Sequence, residues 1–200
     1  MIEQDFICTD DFEANGIVKW KSPSNIALVK YWGKKDNQIP QNPSISFTLS
    51  KSYTTTSVEF KPKKNNENNL FFDFQDVKNH PFGNNIKLFI SSIDKYFKFL
   101  KNHDIYIKSQ NNFPHSSGIA SSASSMSCLS SCLVDIESLN TKSKEDSYYM
   151  KKKSFIARFG SGSASRSIEG PITLWGSSNS YLGSSDLYGI NISDDVNKVF

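Results

Sequence analysis

Asn111-Asn112-Phe113-Pro114-His115-Ser116-Ser117-Gly118-Ile119-Ala120-Ser121-Ser122-Ala123 decides the reading of this chain, because small and hydroxylated residues replace bulky ones where a strand hands over to a helix. Upstream, Ile105 and Ile107 alternate with polar residues at the period of a half-buried strand. Downstream, Met126, Leu129, Cys132, Leu133 and Ile136 recur three and four residues apart, as on one face of a helix. The loop between them therefore lies at a helix N-terminus, where unpaired backbone N–H groups and the positive end of the macrodipole favour an anion. Gly118 admits a left-handed backbone there. The hydroxyls of Ser116, Ser117, Ser121 and Ser122 can donate to phosphate oxygens or ligate a hard cation such as Mg²⁺. Composition alone also fits a serine-rich linker capped by a helix. The strand before and the amphipathic helix after favour the anion seat. No lysine follows the glycine at the spacing of a P-loop.

Whole-chain properties are compatible with a small anionic ligand. Two hundred residues with 37% hydrophobic and 13% aromatic content suffice for one core of ordinary size. A net charge of +3 from 23 basic and 20 acidic side chains is too balanced to argue for nucleic acid. Lysine groups at 61–64 and 151–153 read as solvated faces. No apolar run approaches membrane-spanning length, and the opening fifteen residues are acidic, so a cytoplasmic protein is expected, with no membrane partner. Cys8, Cys128 and Cys132 are odd in number and read as reduced thiols, the latter two as small core residues.

The remaining pattern predicts strands over 16–21 and 26–31 around a turn at Pro23, and a hairpin of 45–49 with 54–60. A polar loop over 61–69 leads to a strand over 70–74. One helix carries the stripe Ile86, Phe89, Ile90, Ile93, Tyr96, Phe97 and Leu100. A polar run over 140–147 precedes a helix ending near Phe159, and a strand follows over 171–175. Strands with helices segregated to one side make an α+β domain.

Three ordered segments carry a family resemblance. The opening stretch is similar to the glycine/serine phosphate loop of the GHMP kinase superfamily, most closely to that of mevalonate diphosphate decarboxylases. Ser22-Pro23-Ser24-Asn25-Ile26-Ala27-Leu28-Val29-Lys30-Tyr31-Trp32-Gly33-Lys34-Lys35-Asp36, followed by Asn42-Pro43-Ser44-Ile45-Ser46, resembles the N-terminal signature of that branch. Gly160-Ser161-Gly162-Ser163-Ala164-Ser165-Arg166-Ser167 resembles its Gly-Ser-Gly-Ser-Ala-Cys-Arg-Ser motif. Ser165 stands where cysteine is usual, and Glu169-Gly170-Pro171 where Tyr-Gly-Gly is typical. His115 replaces a usual threonine and reads as a loop variation, not a catalytic base.

The resemblance implies a GHMP kinase N-terminal domain of the ribosomal protein S5 domain 2-like kind over residues 1–200, a mixed sheet with helices on one face and a left-handed βαβ crossover. It implies ATP as cosubstrate, bound along Asn112, Pro114, His115, Ser116, Ser117, Gly118, Ile119, Ala120, Ser121 and Ser122, with Mg²⁺ at Ser121 and Ser122. Read alone, the Lys30-Tyr31-Trp32-Gly33-Lys34 run favours an aromatic edge strand whose lysines face water; the resemblance reverses that preference. It implies that Tyr31 and Lys34 grip the substrate diphosphate, that Lys30 orients the reacting centre or neutralises developing charge there, and that Ser161, Gly162, Ser163 and Arg166 bind the substrate carboxylate and diphosphate. Trp32 reads as packing.

The activity so implied is ATP-dependent decarboxylation of mevalonate 5-diphosphate to isopentenyl diphosphate, by a homodimer in the full-length family. Family members carry a catalytic aspartate in a glycine-containing motif in the second half of a chain well over 300 residues long. That motif is not found among Asp186, Asp194 and Asp195, so the aspartate is expected beyond Phe200. The chain is accordingly expected to be an N-terminal portion, poorly stable and without turnover alone. The alternatives are a related enzyme acting on another mevalonate phosphate, as a 3-kinase or phosphomevalonate decarboxylase, and a non-catalytic phosphate-binding fragment.

Overall fold

The computed structural model describes residues 1–65, 70–75, 77–78, 80–114, 118–141 and 144–196. Its two longest strands, β1 (Gly16–Val29) and β2 (Ser44–Pro62), pair antiparallel along most of their length. This corrects two expectations. Pro23 makes no turn, and 45–60 makes no hairpin; β1 and β2 each run straight through. Pro23 pairs with Tyr53 but Ser24 pairs with Leu49, so residues 50–52 of β2 are surplus at a bulge. A missing proline N–H is tolerated at such a break in the ladder. β1 ends at Val29, leaving Lys30 and Tyr31 in the connection beyond it.

The sheet continues with β3 (Leu70–Phe74), β4 (Val77–Lys78), β5 (His103–Asn111), β6 (Ile172–Trp175) and β7 (Gly189–Asn191), in the order β4-β3-β5-β2-β6-β7, with β1 on β2. β3 and β5 are parallel and joined through α1 (Gly83–Ile93); the other pairings are antiparallel. Alternation sets the two faces. Val18, Val58, Phe60, Phe72, Phe74, Ile105 and Ile107 are buried beneath the helices, whereas Ile17 (61% exposed) and Phe71 (45% exposed) point the other way. The mixed α+β sheet with helices on one face is as expected.

The predicted helix through Leu100 ends early. Phe97 adopts extended angles (φ −139°, ψ 94°), so α1 is followed by two 3₁₀ turns, Asp94–Tyr96 and Lys98–Lys101. The broken backbone is used elsewhere: Tyr96 O accepts from Cys8 N at 3.2 Å and from Lys152 Nζ at 3.2 Å.

Helix α2 (Ser121–Thr141) covers β1 and β2. Two of its buried serines are satisfied within the helix, Ser130 Oγ donating to Met126 O at 2.7 Å and Ser131 Oγ to Ser127 O at 2.9 Å, whereas Ser127 Oγ donates to Ser167 O at 3.0 Å. Cys128 and Cys132 are buried as expected, with Cys128 Sγ donating to Trp20 O at 3.0 Å. Helix α3 (Asp146–Gly160) packs on α2 and overturns the reading of 151–153 as a solvated face. Lys152 is fully buried in an ion pair with Glu137 at 2.5 Å. Lys153 is buried against Asp135 at 2.7 Å, its ammonium 4.1 Å from the Trp20 ring. Each lysine follows the inward face of α3 because a carboxylate of α2 faces it. Lys61 and Lys64 are exposed as expected. A last short helix, α4 (Ser193–Val196), follows β7. Among the described residues no helix is long and apolar enough to cross a membrane.

Candidate functional site

The phosphate-loop candidate divides at the structure. His115, Ser116 and Ser117 lie outside the described residues. Gly118 has φ +80°, and nothing lies within 4 Å of where its Cβ would be, so the backbone there faces open space. Ala120 is also left-handed, at φ 58°, and turns the chain into α2; its carbonyl accepts from Ala123 N at 2.9 Å and Ser124 N at 3.3 Å. Ser121 and Ser122 therefore occupy the first turn, where backbone N–H groups have no partner within the helix. Ile119 is held from behind, its carbonyl accepting from Ser24 Oγ.

Asn112 is turned away from that seat. Its Oδ1 accepts from Tyr53 N at 2.7 Å and its Nδ2 donates to Lys51 O at 2.8 Å, so the side chain secures the β2 bulge. Pro114 is exposed. Beside Ser122 lies a hollow of about 320 Å³ walled by Phe82, Leu88, Phe89, Met126, Phe159 and Gly160, with Asn85 and Ser92 on its lip.

The residue after Ser24 reaches the other motif. Asn25 is buried, and its Nδ2 donates to Ser163 O at 3.0 Å and to Ser167 Oγ at 2.7 Å. Residues 162–167 form a 3₁₀ turn set off from α3 by the extended Ser161 (φ −160°, ψ 125°), and Ser161 Oγ and Ser163 Oγ stand 3.1 Å apart at its mouth. Consecutive residues of one strand thus touch the glycine loop on one side and the serine turn on the other.

Arg166 projects from that turn into a buried position, 3% exposed. Its Nη1 donates to Ser44 Oγ, and its guanidinium carbon lies 5.5 Å from the Tyr31 ring and 5.7 Å from the Trp175 ring. Tyr31 and Trp175 meet edge to face at 5.2 Å. No carboxylate pairs with Arg166 among the described residues, and its buried Nε has no acceptor. Burial pushes the guanidinium down to about 10 against the favourable influence of Tyr31, so it keeps its charge at neutral pH. Lys34 completes the group. Its ammonium lies 5.3 Å from the Tyr31 ring and donates to Gln38 Oε1. A Cβ on Gly162 would fall 3.3 Å from Lys34 Cε and 3.1 Å from Trp175 Cη2, which is why glycine stands there. Tyr31, Lys34, Gly162 and Arg166 are therefore brought together.

Lys30 is not part of that cluster by side-chain contact; it is exposed, and its carbonyl accepts from Asn42 Nδ2 at 3.1 Å. Trp32 is 92% exposed, which corrects its reading as packing. Asn42 Oδ1 instead fixes the backbone, accepting from Trp32 N at 2.7 Å and tilting the indole outward. Ser44 and Trp175, which bracket Arg166, were not singled out as site residues from sequence, although Ser44 sits inside a quoted segment. Ser121 and Ser122 supply neutral hydroxyl oxygens, and no group of three or more His, Cys, Asp or Glu suited to a metal occurs among the described residues. That donor set fits Mg²⁺ arriving with phosphate ligands of its own, not a protein-built cage.

Phe200, beyond which the catalytic aspartate is expected, itself lies outside the described residues, the last of which is Val196. The three aspartates nearest to it in sequence are engaged elsewhere or exposed. Asp186 Oδ1 accepts from Ser177 N at 2.6 Å, Asp195 Oδ2 accepts from Tyr181 Oη, and Asp194 is exposed in the first turn of α4. None of them pairs with Lys30, Lys34 or Arg166. No carboxylate of the candidate site therefore comes from this end of the described chain.

Residues 22–187 match the family model described as the diphosphomevalonate decarboxylase-like N-terminal domain. The chain is 32% identical over 169 residues to a diphosphomevalonate decarboxylase of Ganoderma lucidum, covering 77% of this chain and 40% of that relative. It is similar to the solved mevalonate diphosphate decarboxylase from Enterococcus faecalis, with a TM-score of 0.70, 30% identity, and coverage of 90% of this chain and 52% of that one. A structure of MDDEF in complex with MVAPP, AMPPCP and magnesium is similar at a TM-score of 0.69 and 30% identity, covering 90% of this chain and 51% of that one. The likeness bears out the GHMP kinase fold expected from sequence. The chain spans about 40% of the length of the curated relative it matches and about half of the solved chains.

Proposed function

The chain belongs to the family of diphosphomevalonate decarboxylase-like N-terminal domains, and from that premise we propose that it forms the ATP- and substrate-binding portion of an ATP-dependent diphosphomevalonate decarboxylase. The observation that carries the reading is Arg166, a buried charged guanidinium without a carboxylate partner among the described residues, gathered with Tyr31 and Lys34 around Gly162. An isolated buried cation is costly unless a ligand completes it. A substrate with a carboxylate at one end and a diphosphate at the other supplies both missing charges.

On this reading Arg166 holds the carboxylate in two-point fashion, and Lys34 and Tyr31 hold the diphosphate, with Ser161 and Ser163 donating between them. The first turn of α2 around Gly118, Ser121 and Ser122 receives the nucleotide phosphates, and the hollow walled by Phe82, Phe89 and Phe159 offers aromatic surface to a purine. Ser121 and Ser122 would hold Mg²⁺ through their hydroxyl oxygens, and the ion would supply charge neutralisation at the phosphates. Lys30, on the open side of the loop, faces the charge that develops as the tertiary C3 hydroxyl is phosphorylated and the C3 phosphate and CO₂ then depart. The hydroxyl proton requires a carboxylate base, a role that none of Asp186, Asp194 and Asp195 is placed to fill. Residues 1–200 act as one domain, in the cytoplasm, within a homodimer.

Calorimetric titration of the chain with mevalonate 5-diphosphate and with mevalonate 5-phosphate tests this. The expected result is binding of the diphosphate that Arg166→Ala abolishes. Equal binding of the monophosphate would favour an enzyme for another mevalonate phosphate, and no binding of either would sink the reading.

A further inference from the structure

Arg158 is fully buried near the C-terminal end of α3, with its guanidinium carbon 4.7 Å from the Phe159 ring and 5.1 Å from the Phe155 ring. It has a single acceptor: Nη1 donates to the carbonyl of Asn37, while Nε and Nη2 have no partner among the described residues. Glu3 and Asp186 attract the guanidinium from a distance but neither pairs with it, and a methionine would fill the space between the two rings without orphaned donors, so packing alone does not account for a guanidinium there.

The residue it grips lies in an unusual place. Asn37 and Gln38 both adopt left-handed angles, φ 54° and 62°, in a 3₁₀ turn over Asp36–Gln38. Asparagine enters this region readily, but glutamine does so at a cost that contacts around the turn must offset. Gln38 then extends its side-chain carbonyl to the ammonium of Lys34. The turn is closed by Ile39 N donating to Asp36 O at 3.2 Å and Lys35 N donating to Ile39 O at 2.7 Å. Ser161 alone separates the helix that carries Arg158 from the turn that carries Arg166.

We infer that Arg158 is a positioning residue for diphosphate binding: through the Asn37 carbonyl it locks the 36–38 turn, whose Gln38 sets the Lys34 ammonium beside Gly162 and in register with Arg166. This rests on the substrate reading given above and adds to it a residue that touches no ligand. The chain of contacts is Arg158 to Asn37, Asn37 to Gln38 through the backbone, and Gln38 to Lys34.

The test compares Arg158→Met, Gln38→Ala and the double variant with the wild-type chain. Affinity for mevalonate 5-diphosphate is expected to fall about tenfold in each single variant and no further in the double, because both act through one contact chain. Affinity for a non-hydrolysable ATP analogue is expected to stay unchanged, and the amides of Lys35 and Ile39 to exchange with solvent faster in Arg158→Met. A purely structural role would shift the melting temperature and leave diphosphate affinity intact, or weaken both ligands alike; either result overturns the inference while the substrate reading stands. If the wild-type chain binds no mevalonate diphosphate, that reading falls, and amide exchange decides the anchor: faster exchange supports it and unchanged exchange overturns it.

Discussion

The guanidinium carbon of Arg166 stands 5.5 Å from the centre of the Tyr31 ring, with no acidic side chain between them. The aromatic face softens the burial of the cation but leaves its in-plane donors uncommitted apart from the bond to Ser44. Replacing Arg166 with lysine keeps the charge and loses the planar fork. Arg166→Lys is expected to weaken mevalonate 5-diphosphate by about 2 kcal/mol, roughly thirtyfold, with little change in ATP-analogue affinity. Paired titrations check the split.

Gly118 gives a second handle, because its left-handed backbone and empty surroundings separate strain from crowding. Gly118→Ala costs about 1 kcal/mol in backbone conformation, a loss of about 2–4 °C in melting temperature for a chain of this size. The added methyl occupies the space a phosphate needs, so nucleotide affinity is expected to fall more than tenfold. Thermal denaturation with and without ATP analogue measures both parts. A variant that binds nucleotide as the wild type does would remove Gly118 from the seat.

The Glu137–Lys152 pair is stapled between α2 and α3 at 2.5 Å with both side chains buried. Burial pushes the Glu137 carboxyl up and the Lys152 ammonium down, each opposed by the attraction of its partner. Glu137→Leu leaves an uncompensated buried cation and is expected to cost about 3–5 kcal/mol. Glu137→Leu with Lys152→Met is expected to recover most of that loss. Chemical denaturation of the two variants and the wild type provides the comparison.

At the N-terminus, Glu3 accepts from Tyr96 Oη at 2.6 Å and Lys95 Nζ at 2.8 Å. These donors, Lys95 first, hold its carboxyl below the ordinary 4.5, while burial and the Glu3 bond push the Tyr96 phenol up to about 12. A depressed carboxyl stabilises the fold above its unfolded pKa and loses that contribution as pH falls through the folded value. Glu3→Gln is therefore expected to be less stable than wild type at pH 7, by no more than about 1 kcal/mol given its partial exposure. The difference should shrink as pH drops below 4.5. Melting curves between pH 3 and pH 7, set as rough bounds for a carboxylate, follow it.

Much of this was legible in sequence because local pattern and local structure agree. The alternation around Ile105 and Ile107 became β5, and the stripe from Met126 to Ile136 became α2. Tyr31, Lys34 and Arg166 could be paired only through family resemblance, since 132 residues separate Lys34 from Arg166 and no periodicity spans such a gap. Pro23 misled because proline signals a turn locally, while the long-range pairing with β2 absorbs it as a bulge. Lys152 and Lys153 misled for the opposite reason, since a charged residue reads as solvated until its partner, here Glu137 or Asp135, is known, and Arg158 was not singled out at all. Phe155, Ile156 and Phe159 around Arg158 were the available signal that it lay on an inward stripe.

Because the Ser130 and Ser131 hydroxyls bond back to their own helix, the close approach of α2 to its neighbours at these positions depends on how small those side chains are. Tolerance to replacement should then follow volume more than hydropathy: alanine at Ser130 or Ser131 would pass, and leucine, though greasier, would pry the layers apart. By the same measure a bulky side chain is accommodated at the exposed Leu139 near the C-terminal end of the helix, far from the loop it presents.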